Sequence, residues 1–569
     1  MHLQQTPGYK VIVRWLSEAG CKPFAFQEAA WQHLVNGESG LVNAPTGYGK
    51  TYSIFLGSII RFINAHPRSY KTKANNGLQL LWISPLRALA KDIGRAMEAA
   101  IAQLELPWRV GIRNGDTEIK ERQRQKKQAP EILIITPESL HLLLAQKGYA
   151  TFFSGVQIIA VDEWHELIGS KRGVQTELAI SRLAGLARQR KKNIPFMCWG
   201  ISATIGNLEQ ARETLLHPLG TRGVIVKAHL EKKISVASVF PDEIEKYPWA
   251  GHLGLKLLHK IIPIIEQSTT TLVFINTRGM SETWYQALLN AAPHLAGAIA
   301  LHHGSIDQEL RIWVEESLHT GKLKAVICTA SLDLGVDFRP VETVIQVGSP
   351  KGVSRFLQRA GRSGHQPGAT SHIYFLPTHS LELLEAAALK SAMEESVTES
   401  RVPMVLCYDT LIQYLCTLAI SDGFTSEELF PEIRSTYCFS SLEPEEWRAV
   451  LQYLTNGGAA LEQYDDYKKV ELADGRYRIL SRKVAMRHRL HIGTIVSETM
   501  MKVKWFSGGY IGVIEEWFIA RLSPGDAFTF AGNNLELVAV KEMTALVRRS
   551  NKKKSAIPSF QGGRMPLSA

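Results

Sequence analysis

A nine-residue segment, Asn43 to Thr51, constrains the fold of this chain more than any other stretch. It reads Asn-Ala-Pro-Thr-Gly-Tyr-Gly-Lys-Thr. A short apolar strand precedes it, and a helix is predicted from Lys50. A strand, a glycine-containing loop and a helix in this order cradle phosphates, because glycine lets backbone N–H groups converge at the positive end of the helix. A glycine-rich turn before an ordinary helix is the alternative. The Lys-Thr pair directly after Gly49 favours nucleotide binding.

The loop supplies the predicted contacts to a nucleoside triphosphate, and they are Thr46, Gly47, Tyr48, Gly49, Lys50 and Thr51. We expect Lys50 at the β- and γ-phosphates and the Thr51 hydroxyl on Mg²⁺. Ala44 replaces the first glycine of the usual G-x-x-x-x-G-K-T pattern, which indicates one subclass of phosphate loop. Upstream, the side-chain amide of Gln27 has two open interpretations. It reads an adenine edge, or it caps its helix at the surface.

Polar residues follow four predicted buried strands, residues 80–83, 132–135, 156–161 and 197–201. Unbroken apolar strands that alternate with helices predict a parallel sheet covered on both faces, and ligands bind such sheets at the carboxyl ends of the strands. Asp162-Glu163 lies at one of these ends. We expect Asp162 to hold Mg²⁺, directly or through water, and Glu163 to act as the general base on the attacking water. A helix cap followed by a first-turn acid is the alternative for this pair.

A second α/β pattern follows residues 226–250, which are charged and are predicted to form an irregular connector. Its predicted strands are residues 272–275, 298–301, 323–328 and 341–347. They precede Gln358-Arg359-Ala360-Gly361-Arg362, which is predicted to start a helix. This domain has no phosphate loop. Its arginines are of the kind that stabilises charge on transferred phosphoryl oxygens from a facing surface. Solvated arginines on a surface helix are the alternative.

The tail changes to helices from about residue 401, with predicted helices at 404–420, from Thr425 and from Glu443, and then a hairpin at Asp474-Gly475. Three helices and a hairpin predict a winged helix. The last segment is strand-rich, at residues 503–506, 510–514, 528–530, 535–540 and 544–547, and basic. Its basic residues alternate with aromatic ones, which suits phosphate contacts and base stacking. A solvated face over a barrel core is equally consistent with the aromatic residues.

Composition narrows the class of protein further. The 569 residues are too many for one core and predict three or four domains. No apolar run reaches membrane-spanning length and the first residues have no signal-peptide character, so we expect a cytoplasmic protein. Six scattered cysteines without a C-x-x-C spacing indicate neither a zinc site nor a disulfide framework. The net charge of +11 favours a polyanionic partner such as nucleic acid.

These segments, taken in order, resemble the motif series of superfamily 2 helicases. The resemblance rests on Ala44 to Thr51, Asp162-Glu163-Trp164-His165, Ser202-Ala203-Thr204 and Gln358 to Arg362. Ser84-Pro85-Leu86-Arg87, Asn114-Gly115-Asp116-Thr117, Gly169-Ser170-Lys171-Arg172-Gly173 and Ser363-Gly364-His365 resemble the large helicase-related (Lhr-type) branch, and most nearly its bacterial ligase-associated DEXH-box helicases. The resemblance spans nearly the whole chain.

The resemblance implies an α/β fold with two tandem RecA-like parallel-sheet domains, then a winged-helix domain and a β-rich, barrel-like C-terminal segment. We expect these domains at residues 1–225, 226–395, 396–485 and 486–569, with the last one truncated. ATP would bind between the RecA-like domains, and single-stranded DNA would cross their top. The winged helix would pack on the motor and help to enclose the DNA.

The resemblance also implies roles for individual residues. Gln27 would read adenine, Gln358 would help to place the attacking water, and Arg362 would be the arginine finger. Gly335 and Asp337 would lie at the nucleotide, with Asp337 near the ribose. The DNA backbone would be contacted by Arg87, Thr136, Arg278 and Thr329. Many superfamily 2 proteins have a second arginine where this chain has His365.

The expected function is that of an ATP- and Mg²⁺-dependent helicase or translocase on single-stranded DNA, with 3′-to-5′ polarity by family, that unwinds duplexes in DNA repair. An RNA or RNA:DNA-hybrid helicase is the alternative, since backbone contacts do not report the sugar. Lys50, Asp162, Glu163 and Arg362 argue against a scaffold with a dead ATPase. A metabolic kinase would not need the second domain. By family association, a DNA ligase and a nuclease are expected partners, and the expected location is the bacterial nucleoid.

Overall fold

The computed structural model describes residues 2–45, 47–190, 195–203, 205–228, 233–240, 253–333, 341–364, 370–379, 381–395, 397–457, 470–492, 500–541, 544–552 and 556. For residues 88, 253, 500, 516 and 517 it describes the backbone only. The chain forms two compact units, each made of two separate stretches. Residues 1–230 and 400–495 form the first unit, and residues 231–399 and 496–569 form the second.

The first unit begins with a seven-stranded parallel sheet in the order β3-β4-β2-β5-β6-β1-β7, with helices on its faces. Its elements are α1 (Pro7–Glu18), α2 (Ala25–Asn36), β1 (Gly40–Asn43), α3 (Lys50–Ala65), β2 (Leu80–Ile83), α4 (Arg87–Gln103), β3 (Val110–Arg113), α5 (Ile119–Lys127), β4 (Ile132–Ile135), α6 (Pro137–Leu144), α7 (Tyr149–Phe152), β5 (Ile158–Val161), α8 (Trp164–Leu167), α9 (Lys171–Arg188), β6 (Met197–Ser202), α10 (Leu208–Leu216) and β7 (Val224–Lys227).

Burial explains why the central strands are apolar along their whole length. Every residue of β2, β4, β5 and β6 is buried, as expected for a parallel sheet covered on both faces. Gly40 of β1 is required by packing, because a Cβ there would lie 2.6 Å from the Val224 carbonyl oxygen. The parallel arrangement brings the carboxyl ends of β1, β2, β5 and β6 to one edge. Asn43, Ser84, Asp162 and Ser202 lie at that edge.

The second unit begins with a six-stranded parallel sheet in the order β10-β11-β9-β12-β13-β8. Its elements are β8 (Ile234–Ser238), α11 (Leu253–Lys256), α12 (Leu258–Gln267), β9 (Thr271–Ile275), α13 (Arg278–Ala291), β10 (Ile299–His302), α14 (Gln308–His319), β11 (Ala325–Cys328), β12 (Thr343–Val347), α15 (Val353–Ala360), β13 (Ser371–Leu376) and α16 (Leu381–Glu394).

The predicted connector at residues 226–250 is wrong in part. Its first residues end β7, and β8 lies within it. Both are edge strands with partly exposed side chains. The apolar run of β7 is only three residues long and ends at Lys227, and the apolar residues of β8 are interrupted by Ser235. Residues 241–250 lie outside the described part of the chain.

A winged helix completes the first unit. It consists of α17 (Tyr408–Ala419), α18 (Ser426–Arg434), α19 (Pro444–Asn456), the antiparallel hairpin β14 (Glu471–Ala473) and β15 (Arg476–Arg478), and α20 (Arg482–His491). The expected hairpin turn is confirmed, with positive φ at Asp474 and Gly475. The helix predicted from residue 404 begins only at Tyr408, because Leu406 adopts a positive φ.

The winged helix packs on α6 and α9, and polar contacts join it to α9. Arg182 of α9 donates two hydrogen bonds to the Glu432 carboxylate, at 2.9 and 3.0 Å. The buried Glu177 carboxylate accepts a hydrogen bond from the Cys438 N–H at 3.1 Å. These contacts join the winged helix and the first sheet domain into one unit.

The second unit ends in a five-stranded mixed sheet in the order β17-β16-β20-β19-β18. Its elements are β16 (Met500–Trp505), β17 (Tyr510–Glu515), α21 (Glu516–Ile519), β18 (Ala527–Phe530), β19 (Asn533–Lys541) and β20 (Thr544–Arg549). It packs against the end of β10 and the start of α14, where the Val513 N–H donates to the Ser305 carbonyl at 3.0 Å. Gly512 lies at this junction because a Cβ there would clash with the Ser305 carbonyl oxygen.

The predicted fold class is confirmed: two parallel-sheet RecA-like domains, a winged helix and a β-rich C-terminal segment. The domain boundaries remain a prediction. All six cysteines are free thiols, and only Cys21 is exposed. Among the described residues, no helix has the length and apolar character needed to span a membrane.

Candidate active site

The phosphate loop joins β1 to α3 and ends in a left-handed residue. Gly47 and Gly49 have φ values of 88° and 70°, a region that favours glycine. Lys50 opens α3 and is only 9% exposed. Within the described residues its Nζ has no hydrogen-bond partner, and the Glu163 carboxylate lies 3.9 Å away. A buried ammonium without hydrogen bonds is costly, and phosphate oxygens would satisfy it, so the loop fits a nucleotide.

Residues at the start of α2 contact the phosphate loop at Gly49 and Tyr48. Gln27 is buried, donates from Nε2 to the Gly49 carbonyl at 2.9 Å, and accepts the Phe24 N–H at 2.9 Å. Its amide therefore caps its own helix and braces the phosphate loop, and adenine reading stays a prediction. Tyr48 is buried and packs edge-on against Phe24. Thr51 lies in the first turn of α3, half-buried, and Thr46 is outside the described residues.

Asp162 and Glu163 follow β5 and are both buried. Asp162 accepts the Glu163 N–H at 2.9 Å and the Trp82 indole N–H at 3.3 Å, which fix its carboxylate. Burial, and secondly the charge of Glu163, raise the pKa of Asp162, while Lys50 opposes the shift. Glu163 has a φ of 46°, an uncommon conformation for a residue with a side chain. Strained backbone of this kind clusters at functional sites.

His165 connects the Asp-Glu pair to the end of β6. Its Nδ1 accepts the Ala203 N–H at 3.2 Å and lies 3.5 Å from Glu163 Oε2. Because Nδ1 accepts, the neutral ring carries its proton on Nε2, and burial lowers the pKa of His165. Asn43, at the end of β1, donates to the Ala203 carbonyl at 2.6 Å. Ala203 is therefore bonded to Asn43 of the phosphate-loop strand and to His165, which lies beside Glu163. Thr204 is outside the described residues.

The residues of the first unit that are predicted to contact DNA, Arg87 and Thr136, lie at the same edge of the sheet. Arg87 is exposed, donates to Asp116 at 2.8 Å, and lies over Gly115. Thr136 is buried and caps α6 by accepting the Ser139 N–H at 3.4 Å. Arg172 connects the segment after β2 to the start of α6, since it pairs with Glu138 and donates to the Pro85 carbonyl at 2.8 Å.

In the second unit the segment from Gln358 to Arg362 lies at the end of a helix, so the prediction that it starts a helix is wrong. Residues 353–360 already form α15, and Arg362 lies two residues beyond its end. Arg359 is 1% exposed, pairs with both Asp333 carboxylate oxygens at 2.7 and 3.1 Å, and donates to Gln346 at 2.6 Å. Its guanidinium also lies 4.8 Å from the centre of the Phe274 ring. Arg359 is thus a structural residue; Gln358 and Arg362 are also buried.

The start of α15 is capped from a distant part of the chain. Glu399 accepts hydrogen bonds from the Ser354 N–H at 2.8 Å and the Ser354 hydroxyl at 2.7 Å. Gly352 makes room, because a Cβ there would clash with the Glu399 carboxylate. Of the predicted strand contacts in this unit, Arg278 opens α13 and Thr329 follows β11. Gly335, Asp337 and His365 lie outside the described residues.

Three family models match successive parts of the chain. They are the DEAD/DEAH box helicase at residues 24–211, the helicase conserved C-terminal domain at residues 254–366, and the winged helix domain of large helicase-related protein at residues 391–557. The chain belongs to the Lhr-type family of superfamily 2 helicases. The expected family is thereby confirmed, and its narrower likeness to ligase-associated members remains a prediction.

Curated Lhr relatives match nearly the whole chain. The ATP-dependent helicase Lhr-Core protein 2 of Thermococcus barophilus is 33% identical over 95% of this chain, and the Lhr-Core helicase of Sulfolobus acidocaldarius is 32% identical over 98%. The chain spans 64% of the length of each. The solved structure of Mycobacterium smegmatis helicase Lhr bound to ssDNA and AMP-PNP has a TM-score of 0.76 at 27% identity, covering 88% of this chain and 64% of that one.

The structure adds Lhr residues whose roles the sequence did not indicate. His165 belongs to the Asp162-Glu163-Trp164-His165 motif, but its hydrogen bond with Ala203 depends on the order of the strands in the sheet. Asp333, Arg172 and Glu399 carry no local signal, since each pairs with a residue at least 26 positions away. Among the described residues, no cluster of three or more His, Cys, Asp or Glu could hold a metal. Magnesium bound mainly by phosphates and one or two protein ligands needs no such cluster.

Proposed function

We propose that the protein is an ATP-driven motor that translocates on single-stranded DNA from 3′ to 5′ and separates duplexes during DNA repair. The convergence of Lys50, Asp162 and Glu163 at one sheet edge carries this proposal. The family supports it, since the M. smegmatis Lhr structure is of a complex with ssDNA and AMP-PNP. Nucleic-acid-dependent ATP hydrolysis is the corresponding enzyme activity.

The first unit supplies the hydrolytic groups. The loop N–H groups and Lys50 would bind the β- and γ-phosphates, and Glu163 would orient the attacking water and take its proton. The 3.9 Å between Lys50 and Glu163 supports this arrangement, because both groups face the same small volume. Gln358 would help to place the water, and Arg362 would stabilise charge on the γ-oxygens from the second domain.

Magnesium would be held by the Thr51 hydroxyl and the Asp162 carboxylate, partly through water. It would neutralise phosphate charge when bound. Two observations fit this assignment: Asp162 is a buried carboxylate whose pKa is raised by burial and by the neighbouring charge of Glu163, and two N–H donors fix its orientation.

The strand would be held through its phosphates by Arg87 and Thr136 in the first unit and by Arg278 and Thr329 in the second. Alternating grip by the two domains during ATP turnover would advance the strand. The net charge of +11 supports a polyanionic substrate. A cytoplasmic, nucleoid-associated location and association with a DNA ligase and a nuclease belong to the same proposal.

Unwinding of matched 3′-tailed and 5′-tailed duplexes tests the proposal. We expect ATP-dependent unwinding of the 3′-tailed DNA duplex, no unwinding by Lys50→Ala, and ATP hydrolysis that rises when single strands are added. The same duplexes built with RNA or with one RNA strand measure the alternative substrates. Hydrolysis that does not respond to any strand would overturn the motor function.

A further inference from the structure

A cleft of about 870 Å³ lies in the first unit at the edge of the sheet opposite to the phosphate loop. Its lining includes Leu78 and Gly155, which precede β2 and β5 and therefore mark the amino ends of the strands. The volume is within the range of roughly 300–1,000 Å³ found for ligand sites. Nothing in the nucleotide site or in the predicted strand contacts uses this cleft.

Four cations line the cleft from three separate segments. Lys126 and Lys127 end α5, Lys147 lies between α6 and α7, and Arg489 comes from α20 of the winged helix. All four side chains are exposed, and within the described part of the chain none forms an ion pair. No Asp or Glu is among the described residues that line the cleft. Asp422 lies nearby, where it accepts the Gly148 N–H at 3.2 Å.

The clustering of these cations opposes folding unless something else is gained, because like charges repel. The repulsion is visible at Lys126, whose pKa is lowered by burial and then by the charges of Arg113 and Arg489. Arg489 is nevertheless held in place, since it donates to the Ala145 carbonyl at 3.2 Å. This bond fixes a winged-helix cation beside the cations of the sheet domain.

Aromatic and apolar side chains accompany the charges. Phe152, Leu142 and Ala129 are partly exposed in the lining, and Tyr149 and Phe153 are buried behind them. A single small anion prefers converging N–H donors, whereas separated cations beside apolar surface suit an extended chain of phosphates and bases. The distribution of the four cations over three segments therefore favours a nucleic-acid strand over a free phosphate.

We propose that this cleft binds the phosphodiester backbone of nucleic acid as a second contact surface, distinct from the sheet edge that carries Arg87 and Thr136. The proposal rests on the proposed function, because it extends the path of the same nucleic-acid substrate. It assigns to the winged helix, through Arg489, a share in holding that substrate.

Charge reversal of the two helix lysines tests the proposal. The full chain and its Lys126→Glu/Lys127→Glu variant are titrated with a fluorescein-labelled 3′-tailed DNA duplex at several salt concentrations. The slope of log affinity against log salt is negative, and each lost phosphate contact lowers its magnitude by roughly 0.7 to 0.9. We therefore expect the slope to fall by about 1.4 to 1.8 in the double variant, and by about half as much in Lys147→Glu.

Lys10→Glu/Lys22→Glu is the matched control, because both residues are exposed lysines of the same unit outside the cleft and the net charge changes equally. A loss of slope confined to the cleft variants supports the proposal. An equal loss in the control, or no loss in either, overturns it. Displacement of the duplex by inorganic phosphate, but not by chloride at equal ionic strength, would also overturn it in favour of a discrete anion site. Failure of the wild-type chain to bind any strand would instead overturn the proposed function itself.

Discussion

Substitution of Glu163 tests its proposed role as the general base in ATP hydrolysis. Glu163→Gln keeps the size of a buried side chain but removes the base, so we expect kcat for ATP hydrolysis to fall by about 10²- to 10⁴-fold. Binding of a fluorescent ATP analogue should persist, because Lys50 and the loop remain. Stopped-flow binding and steady-state hydrolysis separate the two effects. Hydrolysis at wild-type rate in this variant would remove Glu163 from the mechanism.

Substitution of Arg359 and substitution of Arg362 are predicted to have different effects. Arg359→Ala breaks a buried pair with Asp333, which typically costs roughly 3–5 kcal/mol, so the variant should unfold at lower temperature. Arg362→Ala should lose about 10³- to 10⁵-fold in kcat, as expected for an arginine finger, with a smaller change in thermal stability.

Thermal unfolding and strand-stimulated hydrolysis measured on both variants decide between these roles. A stable, inactive Arg359→Ala variant would contradict the structural assignment of Arg359. An active Arg362→Ala variant would contradict the finger assignment of Arg362.

At the residue scale, continuous motifs predicted which residues come together, and the roles of those residues remain predictions. Lys50 and the Asp162-Glu163 pair face one another as expected from their positions at strand ends. The sequence could not separate Arg359 from Arg362, because the partner of Arg359 is Asp333, 26 residues away, and no local pattern indicates that pair. It also left the role of Gln27 open, and the structure shows capping and a bond to Gly49.

At the level of elements, the sequence predicted strands well where both sheet faces are covered. The strands at residues 80–83 and 132–135 have the predicted bounds, and the bounds of the other predicted central strands differ from prediction by one or two residues. The predictions missed β3, β7, β8 and β13, which have partly exposed positions in their burial patterns. β3 and β8 lack the unbroken apolar run of a strand buried on both faces, whereas β7 and β13 contain short runs, at residues 224–226 and 373–376, that the predictions overlooked.

The joint between α9 and the winged helix should respond to pH through Glu177. Burial raises the pKa of Glu177 to about 8, although the Cys438 and Tyr437 N–H groups oppose the shift. Because the folded pKa lies above the ordinary value of 4.5, the protonated form favours folding. This stabilisation is complete below that ordinary value and is lost as pH rises through about 8.

Glu177→Gln is neutral at every pH and should remove this dependence. We expect the stability of wild type relative to the variant to fall by about 1.4 kcal/mol per pH unit between pH 5.5 and 7.5, and to level off above pH 9. Denaturant unfolding at each pH gives the difference, and Glu18→Gln, an exposed glutamate of α1, is the control. A difference that does not vary with pH would show that Glu177 is already charged in the folded protein.

At the scale of the whole molecule, neither unit is continuous in sequence, and no local pattern predicts that. The winged helix joins the first sheet domain, whereas the C-terminal sheet joins the second. The joints consist of pairs far apart in the chain, such as Arg182 with Glu432 and Ser305 with Val513. The expectation that the winged helix packs on the motor came from family resemblance and not from residue pattern.

Glu282 is the polar centre of the joint between α13 and the C-terminal sheet. It is fully buried and accepts hydrogen bonds from His303 Nε2 at 3.0 Å, the Ala531 N–H at 2.6 Å and the Gly532 N–H at 2.8 Å. His303 is fixed as a donor, because its Nδ1 accepts the Ser305 N–H. One carboxylate thus holds two modules together.

Glu282→Ala would remove the acceptor of the buried His303 and of the part-buried Ala531 and Gly532 N–H groups, at a cost of about 1–3 kcal/mol for the buried donor and less for the other two. We expect the C-terminal sheet to detach before either parallel sheet unfolds, so limited proteolysis should cut the chain near residues 520–532 at enzyme concentrations that leave wild type intact. Glu316→Ala, an exposed glutamate on α14, should show the wild-type pattern. Mass spectrometry of the first fragments locates the cut. First cuts inside the seven-stranded sheet, or a pattern shared with Glu316→Ala, would show that Glu282 does not hold this joint.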